Sequence, residues 1–439
     1  MVEINPFYGI RYNPSKISDL SKVICPPYDI IDLELQNRLY EISEFNFVRI
    51  EYNRELPQDT LEDNRYTRAA SCIARWLQEN VLISEDRPAI YIHRHFFSLR
   101  GKSYVRKNLI TLVKLEEWET RNILPHENIM PKPKSDRLNM LWACHANTSP
   151  VLALYDDPDE VIASTLSAEE SGKPEIDVSD IFGDRHEVRV ITRPEIIRKI
   201  KNQLREQPLY IADGHHRYDS ALTFRKEKML QGGTGAGEAG FNYIMMSLVS
   251  FDDAGLVILP THRLVRGISK PILNSLPDKL KIFFNIKEID TYSPDFENKM
   301  DQMIRGIASG ADQVRLAIYG LKENIMQVLE LRSQSQVINL MPKFHGEIYG
   351  KLDVSLVDHV ILGNMLGLSG EQEQTSLAYS HDWKEALKRI RNQEYQLLFI
   401  LNPVKPNLIK AIADEGDRMP RKSTYFYPKS PAGLVFYRW

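Results

Sequence analysis

The amino-acid sequence predicts a mixed α/β protein of the α+β class. Three observations carry that expectation: strand and helix signals follow one another along all 439 residues, their order is irregular, and no stretch recurs with a period of roughly 20 to 50 residues. The composition, 43% hydrophobic and 26% charged, is that of a globular chain and not of a disordered or fibrous one. At roughly 100–200 residues per domain, the length accommodates two or three domains.

The elements follow from periodicity. Asp59–Leu82 reads as one long helix, because Leu61, Ala69, Cys72, Ile73 and Leu77 recur at helical spacings behind an Asp/Thr start. Ala89–Phe97 and Tyr104–Leu115 alternate apolar and polar residues around Gly101, the pattern of an antiparallel pair with a short connection. A helix over Arg137–Ala146, a short apolar strand over Val151–Tyr155 and a helix over Asp159–Glu170 come next. Glu187–Ile191 reads as a strand, Pro194–Arg205 as a helix opened by proline, Leu209–Ala212 as a buried strand and Arg217–Leu230 as a helix. Gln231–Gly240 carries five glycines in ten residues, which places a domain boundary there and divides the chain into 1–235 and 236–439. Beyond it, strands are expected near Asn242–Phe251, Val314–Tyr319, Ile325–Leu331 and Tyr395–Leu401, with helices near Leu273–Lys281, Asp353–Leu366 and Trp383–Arg391.

Several function classes are disfavoured by simple counts. Lysine plus arginine total 56 against 59 acidic residues, a net charge of −3, so the basic excess of an obligate nucleic-acid binder is missing. The longest apolar runs, Ile244–Phe251 and Leu397–Leu401, are far shorter than the roughly 20 residues of a membrane-spanning helix. Residues Met1–Lys16 lack the layout of a signal peptide, so a cytoplasmic protein without membrane or nucleic-acid partners is expected. Cys25, Cys72 and Cys144 are widely spaced, with no CxxC pair for zinc or disulfide chemistry. Gly235, Gly237 and Gly240 spell GxGxxG, but after a helix and before a strand, the reverse of the order a dinucleotide site needs.

The most informative stretch is Leu209–Tyr218, in which a buried strand ends in Asp213-Gly214 and turns straight into a helix bearing His215, His216 and Arg217. A helix N-terminus presents unpaired amides and partial positive charge, Gly214 permits close approach of an anion, and Arg217 offers a bidentate grip. The pattern reads as a phosphate site, with Asp213 beside it to hold Mg²⁺ or accept a proton. A capped helix with surface histidines is the structural alternative. His126-Glu127, in a proline-rich loop, supplies a candidate general base or simply loop architecture. Met419–Lys429 packs cations, hydroxyls and aromatics together, so Lys422, Ser423 and Thr424 form either a second phosphate contact or an amphipathic terminal strand. Cys25–Asp29 is explained by a Pro-Pro turn without function.

These stretches, PPYD at Pro26–Asp29, PHE at Pro125–Glu127, KxDRL at Lys134–Leu138, ADGHHRY at Ala212–Tyr218 and MPxKSTYFYPK at Met419–Lys429, resemble a bacterial and archaeal family known only as a domain of unknown function. That family in turn is similar to the ParB/sulfiredoxin-like superfamily, whose free-serine kinase branch carries a DGHHR motif. The resemblance implies a ParB/sulfiredoxin-like catalytic region over 1–235 and a C-terminal α/β region over 236–439 that closes the site with its last strand segment. It implies a small-molecule kinase that transfers phosphate from ATP or ADP, with Mg²⁺, to free L-serine. Residue by residue, it makes Glu127 the base and sets Asp213 and His216 in the catalytic centre, with Gly214, His215, His216 and Arg217 on the phosphates. His126, Arg137 and Tyr218 then line the substrate. The spacing from Glu127 to Asp213 exceeds that of the compact branch, so an insertion such as Asp159–Glu187 lies between them. A ParB-type nucleotide switch and a non-catalytic phosphometabolite-binding protein are the rival readings. The sequence is silent on oligomeric state.

Overall fold

Pleating sorts the side chains of one large sheet onto two faces, and that sorting builds the first of two units. The computed structural model describes residues 1–127, 131–232, 240–306, 314–368 and 370–439. The chain is mixed α/β, and it forms one unit from residues 1–125, 129–257 and 428–439 and another from 126–128 and 258–427.

In chain order, the described strands of the first unit's main sheet are Ile4–Asn5 (β1), Ile90–Leu99 (β2), Lys102–Lys114 (β3), Ile123–Pro125 (β4), Val151–Tyr155 (β5), Ile176–Ser179 (β6), Arg185–Ile191 (β7), Leu209–Asp213 (β8) and Tyr243–Ser250 (β9). They lie in the order β4-β8-β5-β9-β3-β2-β7-β6, with β1 also paired to β3. Pairs β4/β8 and β9/β5 are parallel, and the other pairs are antiparallel. Four helices used below are Arg65–Gln78 (α1), Pro131–Cys144 (α2), Pro194–Arg205 (α3) and His215–Leu230 (α4). Tyr91, Ile110, Leu112 and Met245 pack in one apolar cluster with Ile73 and Trp76 of α1. Their strand neighbours Ile90, Ile92, Leu109, Val113, Ile244 and Met246 pack in another with Ile200, Leu204 and Phe224 of α3 and α4. A period of two along each strand therefore serves both faces.

The hairpin of β2 and β3, the strands β5 and β8, and α3 fall where periodicity puts them. The long helix expected over Asp59–Leu82 is shorter. Asn64 caps α1, accepting from the amides of Tyr66 and Thr67 at 3.0 and 3.2 Å, and the Thr67 hydroxyl accepts from the Asn64 amide at 3.0 Å. Leu61 is 96% exposed in a preceding turn, and Leu82 belongs to a short strand, Leu82–Ser84, paired with Ile10–Tyr12. The stretch expected to be an insertion, Asp159–Glu187, holds a helix over Val161–Ala168 and the edge hairpin of β6 and β7. Strand β9 lies past the expected division at 235/236 yet completes the first unit's sheet between β5 and β3, and residues 428–439 return to that unit. Gly235 and Gly237 lie outside the described residues.

The second unit has its own sheet: His262–Val265 (β10), Phe284–Asp290 (β11), Arg315–Lys322 (β12), Ile325–Leu331 (β13), Leu377–Ser380 (β14) and Leu397–Ile400 (β15). Their order is β11-β13-β12-β15-β10-β14, antiparallel throughout. Its core includes Leu264, Met326, Leu398 and Trp383. Strands β10, β11 and β14 were not expected; β11 is an edge strand whose mostly exposed, charged side chains carry little apolar signal. Among the described residues, no helix is long and apolar enough to cross a membrane.

Replacing Asn64 with alanine removes the α1 capping box. Urea unfolding should then show a loss of about 1 kcal/mol with an unchanged m-value, the usual cost of a lost N-cap.

Candidate functional site

Strand β8 ends at Asp213, the chain turns through Gly214 at φ 91°, and α4 begins at His215. A Cβ at position 214 would fall in the left-handed region and 2.8 Å from Arg217 Nε, so glycine is required twice over. Arg217 folds back across this turn: Nη2 donates to Asp213 Oδ2 at 2.7 Å, and Nη1 donates to Ser149 Oγ at 3.2 Å and to the Pro150 carbonyl at 2.5 Å. Lys429 donates to the other carboxylate oxygen, Asp213 Oδ1. Lys429 is itself placed by buried Arg106, whose Nη2 donates to the carbonyl of Pro428 at 2.9 Å and to Ser430 Oγ at 3.1 Å.

Burial alone would raise the Asp213 pKa, but Lys429 and Arg217 outweigh it and hold the carboxyl well below the usual carboxylate range. Asp213 is thus held as an anion, which leaves it a weak proton acceptor. Its fit to Mg²⁺ also fails here, because each carboxylate oxygen already meets a cation.

Four of the five sequence motifs converge beside this turn. The Arg137 guanidinium lies 3.8 Å over the Tyr28 ring, and its Nε donates to Asp136 Oδ2 at 2.8 Å. Burial raises the Tyr28 phenol to about 12 despite the opposing pull of Arg137 and Arg217. Asp29 approaches Lys429 at 3.8 Å, and the buried Glu51 carboxylate accepts from Ser149 Oγ at 2.9 Å. The PPYD residues, which a Pro-Pro turn alone explains in the sequence, thus pack against the same charges; their place among the motifs that carry the resemblance is the available signal. A cavity of about 30 Å³ lies between Arg137, Asn147, Ser149 and Arg217. It has room for about one or two waters.

Two expected substrate contacts are buried instead. Tyr218 is wholly buried, its hydroxyl donating to the Glu116 carbonyl at 2.8 Å and accepting from the Glu116 amide at 2.9 Å. Arg137 is 6% exposed and occupied by Asp136 and Tyr28. His215 is buried and His216 half-buried at the start of α4.

Glu127 and the Met419–Thr424 stretch meet within the second unit. Glu127 Oε1 accepts from the Ser423 amide at 3.1 Å, the Thr424 amide at 3.2 Å and the Thr424 hydroxyl at 3.1 Å. Buried His126 sets its Nε2 2.9 Å from Thr424 Oγ1, and Ser423 Oγ donates to the Pro420 carbonyl at 2.5 Å. The Ser423 and Thr424 groups expected on a phosphate are thus turned to a carboxylate. Lys422 adopts φ 56°, and its carbonyl accepts from Arg263 Nη1 at 3.1 Å. Arg263, 1% exposed and paired with Asp358, organises this loop and went unnoticed in the sequence, where nothing distinguishes it from other strand cations.

A family model described as "Protein of unknown function (DUF1015)" matches residues 4–355. The chain belongs to this family. No curated protein matches it. Among solved structures, a conserved hypothetical protein from Pyrococcus furiosus is 11% identical, covering 74% of this chain and 95% of its own at a TM-score of 0.36. A free serine kinase in complex with AMP is 14% identical, covering 73% and 89% at 0.36. SbnI with a C-terminal truncation, from Staphylococcus aureus, is 10% identical, covering 74% and 86% at 0.36. At these scores the likenesses are remote.

A carboxyl held below its ordinary range stabilises the fold fully above its unfolded pKa, about 3.9, and loses that contribution as pH falls toward the folded value. Wild type should therefore exceed Asp213→Asn in urea-unfolding stability by a constant margin between pH 5 and 7, and the margin should shrink below about pH 4. A margin that grows on acidification would reverse the sign assigned to Asp213.

Proposed function

We propose that the chain is a nucleotide-dependent phosphotransferase acting on a small hydroxyl acceptor, free L-serine, to give O-phospho-L-serine. The observation that carries the proposal is the turn from β8 into α4, where the Gly214 backbone opens a helix N-terminus between Arg217 and Lys429. The DGHHR likeness supports a nucleotide phosphate as the anion, with ATP or ADP as donor. In this reading the amides of Gly214–His216 take the phosphate oxygens, while Arg217 and Lys429 exchange part of their hold on Asp213 for phosphate. Asp213 keeps both cations aimed at one point before the anion arrives, which avoids reorganisation during transfer. The serine oxygen forms a bond to phosphorus as the bond to the nucleotide oxygen breaks, and the serine proton passes to a general base, the role that the resemblance gives Glu127. No step is assigned to Mg²⁺.

One observation favours a second reading. The three bonds that Ser423 and Thr424 make to Glu127 suit a structural carboxylate, and a nucleotide-binding switch would need no base.

Nucleotide turnover with and without serine separates the two, measured on wild type and on Glu127→Gln, which retains an acceptor oxygen for Ser423 and Thr424. The transferase reading expects serine-dependent turnover that falls by about 10²–10⁴ in Glu127→Gln, with nucleotide affinity little changed. Serine-independent hydrolysis that is indifferent to Glu127→Gln would establish the switch instead.

A further inference from the structure

Away from the Asp213 turn, the first unit holds a second group of side chains suited to chemistry. His93 and His95 stand two residues apart on β2 and so share a face, while His186 on neighbouring β7 sits directly across from His95 in the ladder. All three are at most 1% exposed. One nitrogen from each ring lies within 4.8 Å of the others. His93 Nε2 and His186 Nδ1 are 3.1 Å apart, close to the roughly 3.3 Å that separates two ligands each about 2.0–2.1 Å from a tetrahedral zinc.

The surroundings complete the set. The turn joining β6 to β7 carries two carboxylates to the histidines: Asp184 Oδ2 lies 3.2 Å from His95 Nε2, and Asp180 Oδ2 lies 3.3 Å from His186 Nε2. That turn is tied to itself, since Asp180 Oδ1 accepts from the amides of Phe182 and Asp184 at 2.9 and 3.0 Å. Imidazole nitrogens with carboxylate neighbours suit borderline divalent ions, and ligating histidines commonly hand their other nitrogen to a carboxylate. Two carboxylates also balance the charge of one divalent ion.

We propose that His93, His95 and His186 bind a single Zn²⁺-class divalent ion, with Asp184 completing the coordination and Asp180 as the outer partner of His186. Because the site is closed to solvent, the ion is structural: it clamps the edge hairpin of β6 and β7 to β2. Arg106, whose Nη2 lies 3.4 Å from His95 Nδ1 and which holds the backbone around Lys429, borders the cluster.

The test uses the untagged, full-length chain, stripped with a chelator and titrated with Zn²⁺ against a competing indicator, with Co²⁺ as a spectroscopic substitute. The expected result is one ion per chain, a tetrahedral-type Co²⁺ spectrum, and a higher unfolding midpoint with Zn²⁺ than without. His186→Gln should weaken binding more than 100-fold, and Asp180→Asn about 10–100-fold as an outer partner. Circular dichroism establishes that each variant is folded; if His186→Gln is not, His93→Gln and Asp180→Asn carry the comparison. A folded wild-type chain that takes up no Zn²⁺ or Co²⁺, or folded variants that bind as tightly as wild type, would overturn the proposal and leave the histidines as a hydrogen-bonded core network.

Discussion

The candidate site depends on one carboxylate held ionised between two cations. Asp213 ends a buried strand, and Lys429 and Arg217 each occupy one of its oxygens. An aspartate there without both partners would carry the cost of burial uncompensated. With them it becomes the fixed point from which the helix start, Ser149 and the C-terminal segment are arranged. Gly214 is part of the same constraint, because only a residue without a Cβ leaves space for Arg217 to fold back.

Lys429 reaches Asp213 because the last residues of the chain are built into the first unit. Ala432 bridges to Cys25, Phe436 bridges to Ile10, and Phe436 is fully buried. Arg106 then fixes the Pro428 carbonyl and the Ser430 hydroxyl on either side of Lys429. The same guanidinium touches His95, so the histidine cluster and the Asp213 turn share a support.

Where a signal was local, it was legible in the sequence. The strand-Asp-Gly-helix turn, the β2/β3 hairpin and the proline-opened α3 are set by neighbouring residues, and they appear at the expected positions. Partners set by distant pairing were not legible. Nothing near Asp213 announces Lys429 or Ser149, and the His93-x-His95 spacing becomes a cluster only when β7 brings His186 across. Burial likewise is not legible in residue type: Tyr218 and Arg137 carry the expected chemistry, and the fold sets Tyr218 in the core and Arg137 against Tyr28 and Asp136. Edge strand β11 was missed for the opposite reason, since exposed charged residues obscure its alternation.

A structure of the chain in complex with ADP tests the central claim most directly. The account predicts the β-phosphate on the amides of Gly214–His216, with Arg217 or Lys429 turned from Asp213 to meet it. A nucleotide whose phosphates lie elsewhere, with the Lys429–Asp213–Arg217 arrangement unchanged, would contradict it.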